Sequence, residues 1–267
     1  MAYSKVLVAD SVVQRLIEAQ GIYQYCNRTF DGLVSQGATS IDIPNLPGLI
    51  VKTSGTAADG ADRTKTKDAT TMVNVPFEKA VIPIADEIAG RWESNGMLLK
   101  EFTISAAQTF QQYFDTRVIT EAQTTDQTIA AQPALTWGVF GKIKAKFVKN
   151  KVPNRNMVIC IPADRAEEFY SIDVVKNAAA YQKEYMETGT FMNVLGMKFF
   201  ISGLVPQVGG KDTVTAFFGP GLAFVLSKYM ELKQAWDGTN LVDVNDLLCN
   251  FAPKLLDTKF AVTCAID

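Results

Sequence analysis

The sequence predicts an α+β protein built around one long helix, with a ribbon of strands before it and a mixed helix-and-strand unit after it. Three observations predict this class. Between Met97 and Glu121 the apolar residues Leu99, Phe102, Ala106, Phe110, Tyr113 and Phe114 recur at spacings of three and four, while Lys100, Glu101, Ser105, Gln108, Gln112 and Asp115 fall on the opposite arc. From Gly37 to Ala80, two extended stretches flank a long polar segment. Beyond Asn150, short apolar strands alternate with short helical stretches.

Composition narrows the function. A chain of 267 residues that is 48% hydrophobic can bury one large core or two smaller ones. Its 26 basic and 28 acidic residues leave a net charge of −2, so no global field points to nucleic acid or membrane as the main partner. No apolar run reaches the ~18 residues of a membrane span, and MAYSKVLVAD has neither the apolar core nor the cleavage site of a signal peptide, which predicts a protein kept in the cytoplasm. Histidine is absent, which removes the usual general base and the commonest metal ligand. Cys26, Cys160, Cys249 and Cys264 are widely spaced among apolar neighbours, as expected of buried reduced thiols.

Taken in order, Asp10 or Ser11 can cap a helix over Val12 to Ala19, and the segment continues through Gly21 to Tyr25 and Phe30 as an arm. Two readings stay open for it: a helix packed on its own domain, or a segment that reaches a neighbouring molecule. Thr39 to Ile43 alternate, Leu49 to Val51 continue extended, and a returning run follows from Met72 to Ile84. Pro44, Pro47, Pro76 and Pro83 suit edge strands only, so these runs form a two-stranded ribbon. Its tip, KTSGTAADGADRTKTKDATT, has alanine as its only apolar residue and mixes Asp59, Asp62, Arg63, Lys65, Lys67 and Asp68. A ribbon of this kind is marginal alone and needs another surface, which makes those six residues candidates for contact with a second chain.

The long helix can be capped by Ser94 or Asn95, and no proline interrupts it between Pro83 and Pro133. Arg117 falls within its apolar arc, either snorkelling to a nearby carboxylate or contacting another subunit. Asp126 to Pro133 is a polar connection. Trp137 to Lys151 is a second helix, with Phe140, Ile143 and Phe147 on one face and five lysines on the rest, a pattern of a solvated face or of contact with nucleic acid or an acidic neighbour. Then come a buried strand, Met157 to Ile161; helices from Pro162 to Tyr170 and Asp173 to Met186; and strands Met197 to Ile201 and Val214 to Phe218, ending at Gly219, Pro220 and Gly221. Gly238 to Asn240 is a turn. The last strand, Lys259 to Ile266, puts Phe260, Val262, Cys264 and Ile266 on one face, which is expected to pack on the long helix.

No catalytic constellation emerges. The GPG at Gly219 lacks phosphate-loop spacing and reads as a turn. Asp86/Glu87 and Glu167/Glu168 are sequence neighbours whose side chains diverge, so neither is a preset acid–base pair. No cysteine has the basic setting of a reactive thiol. The expectation is a protein that is not an enzyme and carries no metal or cofactor.

The order of parts is specific: an arm, a long ribbon, KAVIPIADEIAG, a spine helix, NMVICIPADRAEEFY, VLGMKFFISGLVP and AFFGPGLAFVLSKYMEL. This order resembles the major capsid protein of tailed bacteriophages, the Hong-Kong-97-type fold. The resemblance implies an N-terminal arm (1–36), an extended β-hairpin loop lying over a neighbouring subunit (37–80), a peripheral domain with spine helix 97–121 (81–150), an axial domain (151–240), and a return to the peripheral domain (241–267). It implies a virion protein that assembles with itself, as pentamers and hexamers of a closed icosahedral shell, in the cytoplasm of a bacterial host. Packaged double-stranded DNA held without sequence specificity, and a scaffolding, decoration or portal protein, are the partners it implies. No long scaffolding segment precedes the arm, so a separate scaffold or none is expected. Two alternatives remain: an encapsulin-like compartment that encloses protein cargo, and a soluble α+β enzyme or binding domain with a long lid.

Overall fold

The long apolar period is realised as helix α1, Gly96–Ala122, within one residue of both predicted ends. The structure is a computed structural model and describes residues 12, 21–31, 39–45, 71–84, 96–153, 155–179, 191–194, 196–226, 231–237 and 242–267. Ala106, Phe110 and Phe114 are buried and Gln108 and Gln112 exposed, as the two arcs require, and Val118, Ile119 and Ala122 extend the buried stripe. The caps Ser94 and Asn95, and the side chains of Leu99 and Phe102, lie outside what is described.

Two positions depart from the predicted arcs. Tyr113 is 42% exposed and sets its ring edge-on to Phe251. Asp115, expected on the polar arc, is buried, because the 3₁₀ turn Ile22–Tyr25 closes over it. The Tyr23 N–H donates to its Oδ1 at 2.9 Å, and the Ile22 N–H donates as well. Tyr23, Cys26 and Val12 belong to the same core as α1, and Asn27 bridges to Ala223, so these residues pack on their own subunit. The rest of the predicted helix Val12 to Ala19 lies outside the described residues.

The ribbon forms as predicted. Strand β1, Ser40–Asn45, pairs antiparallel with β2, Thr71–Pro76, in a register that sets Ser40 against Pro76 and Asn45 against Thr71. Each strand of a two-stranded ribbon is an edge, so Pro44 and Pro76 are tolerated. The returning run then splits: β3, Glu78–Ile84, leaves the ribbon and pairs with β11, Val242–Leu255, whose other partners are β9, Leu222–Leu226, and β10, Glu231–Asp237. The predicted extension Leu49 to Val51 lies outside the described residues.

A second, six-stranded sheet runs in the order β4, β12, β8, β5, β7, β6. These are Thr128–Gln132, Ala261–Ile266, Asp212–Phe218, Met157–Pro162, Met197–Ser202 and Phe191–Val194. Strand β5 alternates between two cores: Met157, Ile159 and Ile161 face one, Val158 and Cys160 the other. The first is covered by α2 (Trp137–Lys149), α3 (Ala166–Ser171) and α4 (Asp173–Ala179), the second by α1 and the 3₁₀ turn.

Two expectations are corrected here. The polar connection Asp126 to Pro133 contains β4, which pairs parallel with β12. The large face of the last strand, Val262, Cys264 and Ile266, packs on Phe140, Ile143 and Phe147 of α2, while Ala261 joins the core of α1. Helices cover both faces of the sheet, so the larger residues alone did not identify the helix they meet. Residues 137–149 and 261–266 therefore share a core with residues 157–218. Strand β11 lies against α1 through Leu247, Cys249 and Phe251.

The GPG is a turn, as expected, and its glycines are required by contact. A β-carbon on Gly219 would stand 2.2 Å from the Tyr25 carbonyl oxygen, and one on Gly221 2.4 Å from the Phe260 ring. The turn carries the chain from β8 of one sheet directly into β9 of the other.

Phe114→Ala removes the ring that meets Tyr23, Phe224 and Phe251 at centroid distances of 5.7, 5.5 and 4.8 Å. It should cost about 3–5 kcal/mol by chemical denaturation, against less than about 0.5 kcal/mol for exposed Gln108→Ala. Burial raises the Asp115 carboxyl from 3.8 to about 7, against the pull of its two backbone donors. The native state then holds the proton that the unfolded chain releases, so this contribution is complete below 3.8 and is lost as pH rises to about 7. Subunit stability should fall across that window by up to about 1.4 kcal/mol per pH unit. Asp115→Asn, which keeps an acceptor oxygen but cannot ionise, should flatten the slope; an unchanged slope would assign the titration elsewhere.

Candidate intersubunit surface

The ribbon is two-faced. Ile43 and Val75 turn inward onto Ala223, Val225 and Ala252 of β9 and β11, with Phe30, Ile41 and Phe77 around them. Asp42, Met72 and Asn74 turn outward, and the Asn74 side-chain amide donates to Asp42 Oδ1 at 2.8 Å and Ser40 Oγ at 3.2 Å. Period-two alternation thus roots the near end of the ribbon in its own subunit and leaves a polar outer face. Asp59, Asp62, Arg63, Lys65, Lys67 and Asp68, predicted at its tip, lie outside the described residues.

Arg117 sits where the ribbon meets the spine. Its Nε donates to Glu78 Oε2 at 2.8 Å and a terminal nitrogen donates to Oε1, a bidentate pair between side chains each about one-third exposed. Arg117 thus takes the first of the two roles open to it, a carboxylate of its own chain, and Glu78 was not marked by the sequence because 39 residues separate the two. In this setting the pair contributes about 1 kcal/mol or less. Beside it, Lys79, Val81, Thr109 and Tyr113 line a shallow groove in which Val81 and Tyr113 are 47% and 42% exposed.

The remaining polar clusters are structural in form. Arg165 Nε donates to Asp212 Oδ2 at 2.7 Å and its Nη1 to Glu168 Oε1 at 2.8 Å, while Glu168 Oε2 accepts the Leu135 N–H. The Leu135 amide and Arg165 hold the Glu168 carboxyl below its ordinary range, and Arg165 with Gln207 does the same for Asp212. Lys211 pairs with Asp267 at 2.5 Å. These bonds fasten α3 to β8 and to the end of the chain. The Glu167/Glu168 pair therefore supplies one structural carboxylate, and Asp86/Glu87 lies outside the described residues. All four cysteines are free and buried, and burial pushes the Cys26, Cys160, Cys249 and Cys264 thiols up, away from the reactive thiolate. Among the described residues no group of three or more potential ligands is placed to hold a metal ion, and no helix is long and apolar enough to cross a membrane.

No family model matches the sequence and no curated protein matches it. Solved structures do. A chain of Mycobacterium phage Che8 superposes with a TM-score of 0.61 at 17% identity, covering 92% of this chain and 91% of that one. A virus-like particle from Pyrococcus furiosus matches with a TM-score of 0.59 at 9% identity over 98% of this chain and 99% of that one. The mature capsid of bacteriophage PhiM1 matches at 0.56 and 12% identity over 90% and 87%. At such identities it is the backbone path that is shared, over nine-tenths or more of this chain. The chain has the Hong-Kong-97-type capsid fold found in tailed bacteriophages.

Proposed function

We propose that this protein is the major capsid protein of a tailed bacteriophage, assembling with itself into a closed icosahedral shell around double-stranded DNA. The observation that carries the proposal is the likeness to phage structures over nine-tenths or more of the chain. The chemistry agrees, because shell building needs several weak interfaces closed by symmetry and no reactive group. Assembly takes place in the cytoplasm of the bacterial host, with a scaffolding, decoration or portal protein as further partners.

In this reading 37–80 is the extended loop over a neighbouring subunit and α1 with the sheet of β3 and β11 the peripheral domain; in place of the division expected at residues 150 and 240, the shared core of residues 137–149, 157–218 and 262–266 supports counting α2, β4 and β12 with the axial domain. The Arg117–Glu78 pair and the Ile43–Val75 face fix the angle at which the ribbon leaves its own subunit. Asp59, Asp62, Arg63, Lys65, Lys67 and Asp68 then meet the neighbour through several weak ion pairs. The likeness to the Pyrococcus furiosus virus-like particle, which spans nearly all of both chains, favours a second reading, a compartment that encloses protein cargo.

Purified particles separate the two: a shell holding nuclease-protected DNA supports the phage capsid, and co-purifying enzyme supports the compartment. A subunit that stays monomeric under every assembly condition, scaffold included, would overturn both. Replacing residues 59–68 by a short Gly-Ser turn should leave subunit melting unchanged while particle yield by sedimentation falls. Reversing the charge of Arg63, Lys65 and Lys67 should act in the same direction, most at low salt. An unfolded subunit, or shells of unchanged yield and heat resistance, would exclude the ribbon tip as the clamp.

A further inference from the structure

We propose that the exposed face of α2, with the turn that follows it, is the surface on which this subunit meets the phosphate backbone of duplex DNA, and hence that this face points into the shell. The proposal rests on the capsid reading above and adds to it a surface and an orientation. Between Asp126 and Asp164 the chain carries Lys142, Lys144, Lys146, Lys149, Lys151 and Arg155 and no acidic residue, leaving 20 basic and 28 acidic residues in the rest of the chain. A chain whose net charge is −2 thus holds, in α2 and the turn after it, a stretch in which every charged residue is basic.

The fold turns that concentration outward. Val139, Phe140, Ile143 and Phe147 are buried against the six-stranded sheet, so the apolar side of α2 is occupied and is not free to enter a lipid surface. Lys142, Lys149, Lys151 and Arg155 are exposed, and Lys144 and Lys146 half-exposed. Lys142, Lys146 and Lys149 stand at i, i+4 and i+7, one row about 10 Å long on the helix surface. A duplex presents one phosphate charge per ~1.7 Å of axis, about six over that length.

The ion pairs described, at Arg28–Asp31, Arg117–Glu78, Arg165–Glu168, Arg165–Asp212, Lys211–Asp267, Lys254–Glu121 and Lys259–Asp257, include none of Lys142, Lys146 and Lys149. Lys142 Nζ donates to the neutral Gln132 side chain, and Asp126 attracts Lys146 from the preceding turn. The negative end of the helix dipole accounts for Lys146 and Lys149 in the last turn, but not for Lys142, Lys151 or Arg155. Between the lysines the surface holds Gly138, Gly141, Ala145 and Val148, and Trp137 packs on Phe140, so the face offers no ring for base stacking. Point charges without stacking rings fit a double-stranded backbone read without sequence, and not a single strand.

The test is fluorescence anisotropy of a labelled 30-base-pair duplex titrated with full-length subunits across a salt series. Lys142→Gln/Lys146→Gln/Lys149→Gln should lower the magnitude of the log Kd against log salt slope by about 2.7, about 0.9 per lost phosphate contact. Lys149→Gln alone, the variant to use if the triple does not fold, should lower it by about 0.9. The control Lys211→Gln/Lys254→Gln/Lys259→Gln removes three lysines held in ion pairs elsewhere and should leave the slope unchanged. Equal losses in the two triples, or a parent that does not bind the duplex, overturn the proposal. So does polyglutamate that binds more tightly than DNA, which would make an acidic protein the occupant. Micrographs of the same variants keep the two readings apart: shells that form normally while the slope is unaltered defeat this proposal alone, and a parent that forms no shell defeats the capsid reading.

Discussion

One helix face packed against two sheets is the constraint on which the rest of the subunit depends. The six-stranded sheet and the sheet built on β11 form separate hydrogen-bonded ladders, and the chain passes between them at the GPG turn. What joins them side by side is α1, whose Phe110 and Phe114 sit in one core with Val158, Cys160 and Phe217 of the first sheet and Leu247, Cys249 and Phe251 of the second. Aromatic rings dominate this junction, and rings in tilted or edge-on contact hold relative angle as well as distance. A subunit that repeats at many positions in a shell must keep that angle, because small errors in each copy accumulate over a closed surface.

The same junction fixes the start of the chain. The 3₁₀ turn at Ile22–Tyr25 has no side chain of its own to cap it, so its free amides are met by Asp115 from the middle of α1. Gly219 then allows Tyr25 to cross the inter-sheet turn at backbone distance. A carboxylate placed where periodicity asks for solvent is thus explained by what lies on top of it.

This separates what could be read in the sequence from what could not. Local period gave α1, the ribbon and β5, because each is set by the side chains of its own stretch. Strand β11 is not legible from its own stretch: VDVNDLLCNFAPKL carries charges, two asparagines and Pro253 in its run, and becomes a strand through three partners distant in sequence. Strand β4 is short and largely exposed, and exists by pairing with β12. Asp115 and Glu78 were invisible as contacts for the same reason, since a residue's partner is a tertiary fact. Of the candidate surface, the polar ribbon and the lysine-bearing helix were legible from composition, and Arg117's choice of carboxylate was not.

The division of charge follows from the same economy of form. A shell subunit has to be soluble before assembly, adhesive to its copies at defined edges, and tolerant of whatever fills the interior. In the proposed capsid, the mixed-sign charge of Asp59 to Asp68 would serve the first two, because pairs that satisfy one another across an interface leave the free subunit without an adhesive apolar patch. The single-sign charge from Lys142 to Arg155 would, on the DNA-facing proposal, serve the third, because attraction to a polyanion without directional contacts binds the contents at every subunit and specifies none of them. The two patterns sit at Asp59 to Asp68 and at Lys142 to Arg155, on opposite sides of α1 in sequence. The spine between them turns two of its polar residues onto its own chain, Asp115 onto the arm and Arg117 onto Glu78, so that both support the packing that gives the subunit its shape.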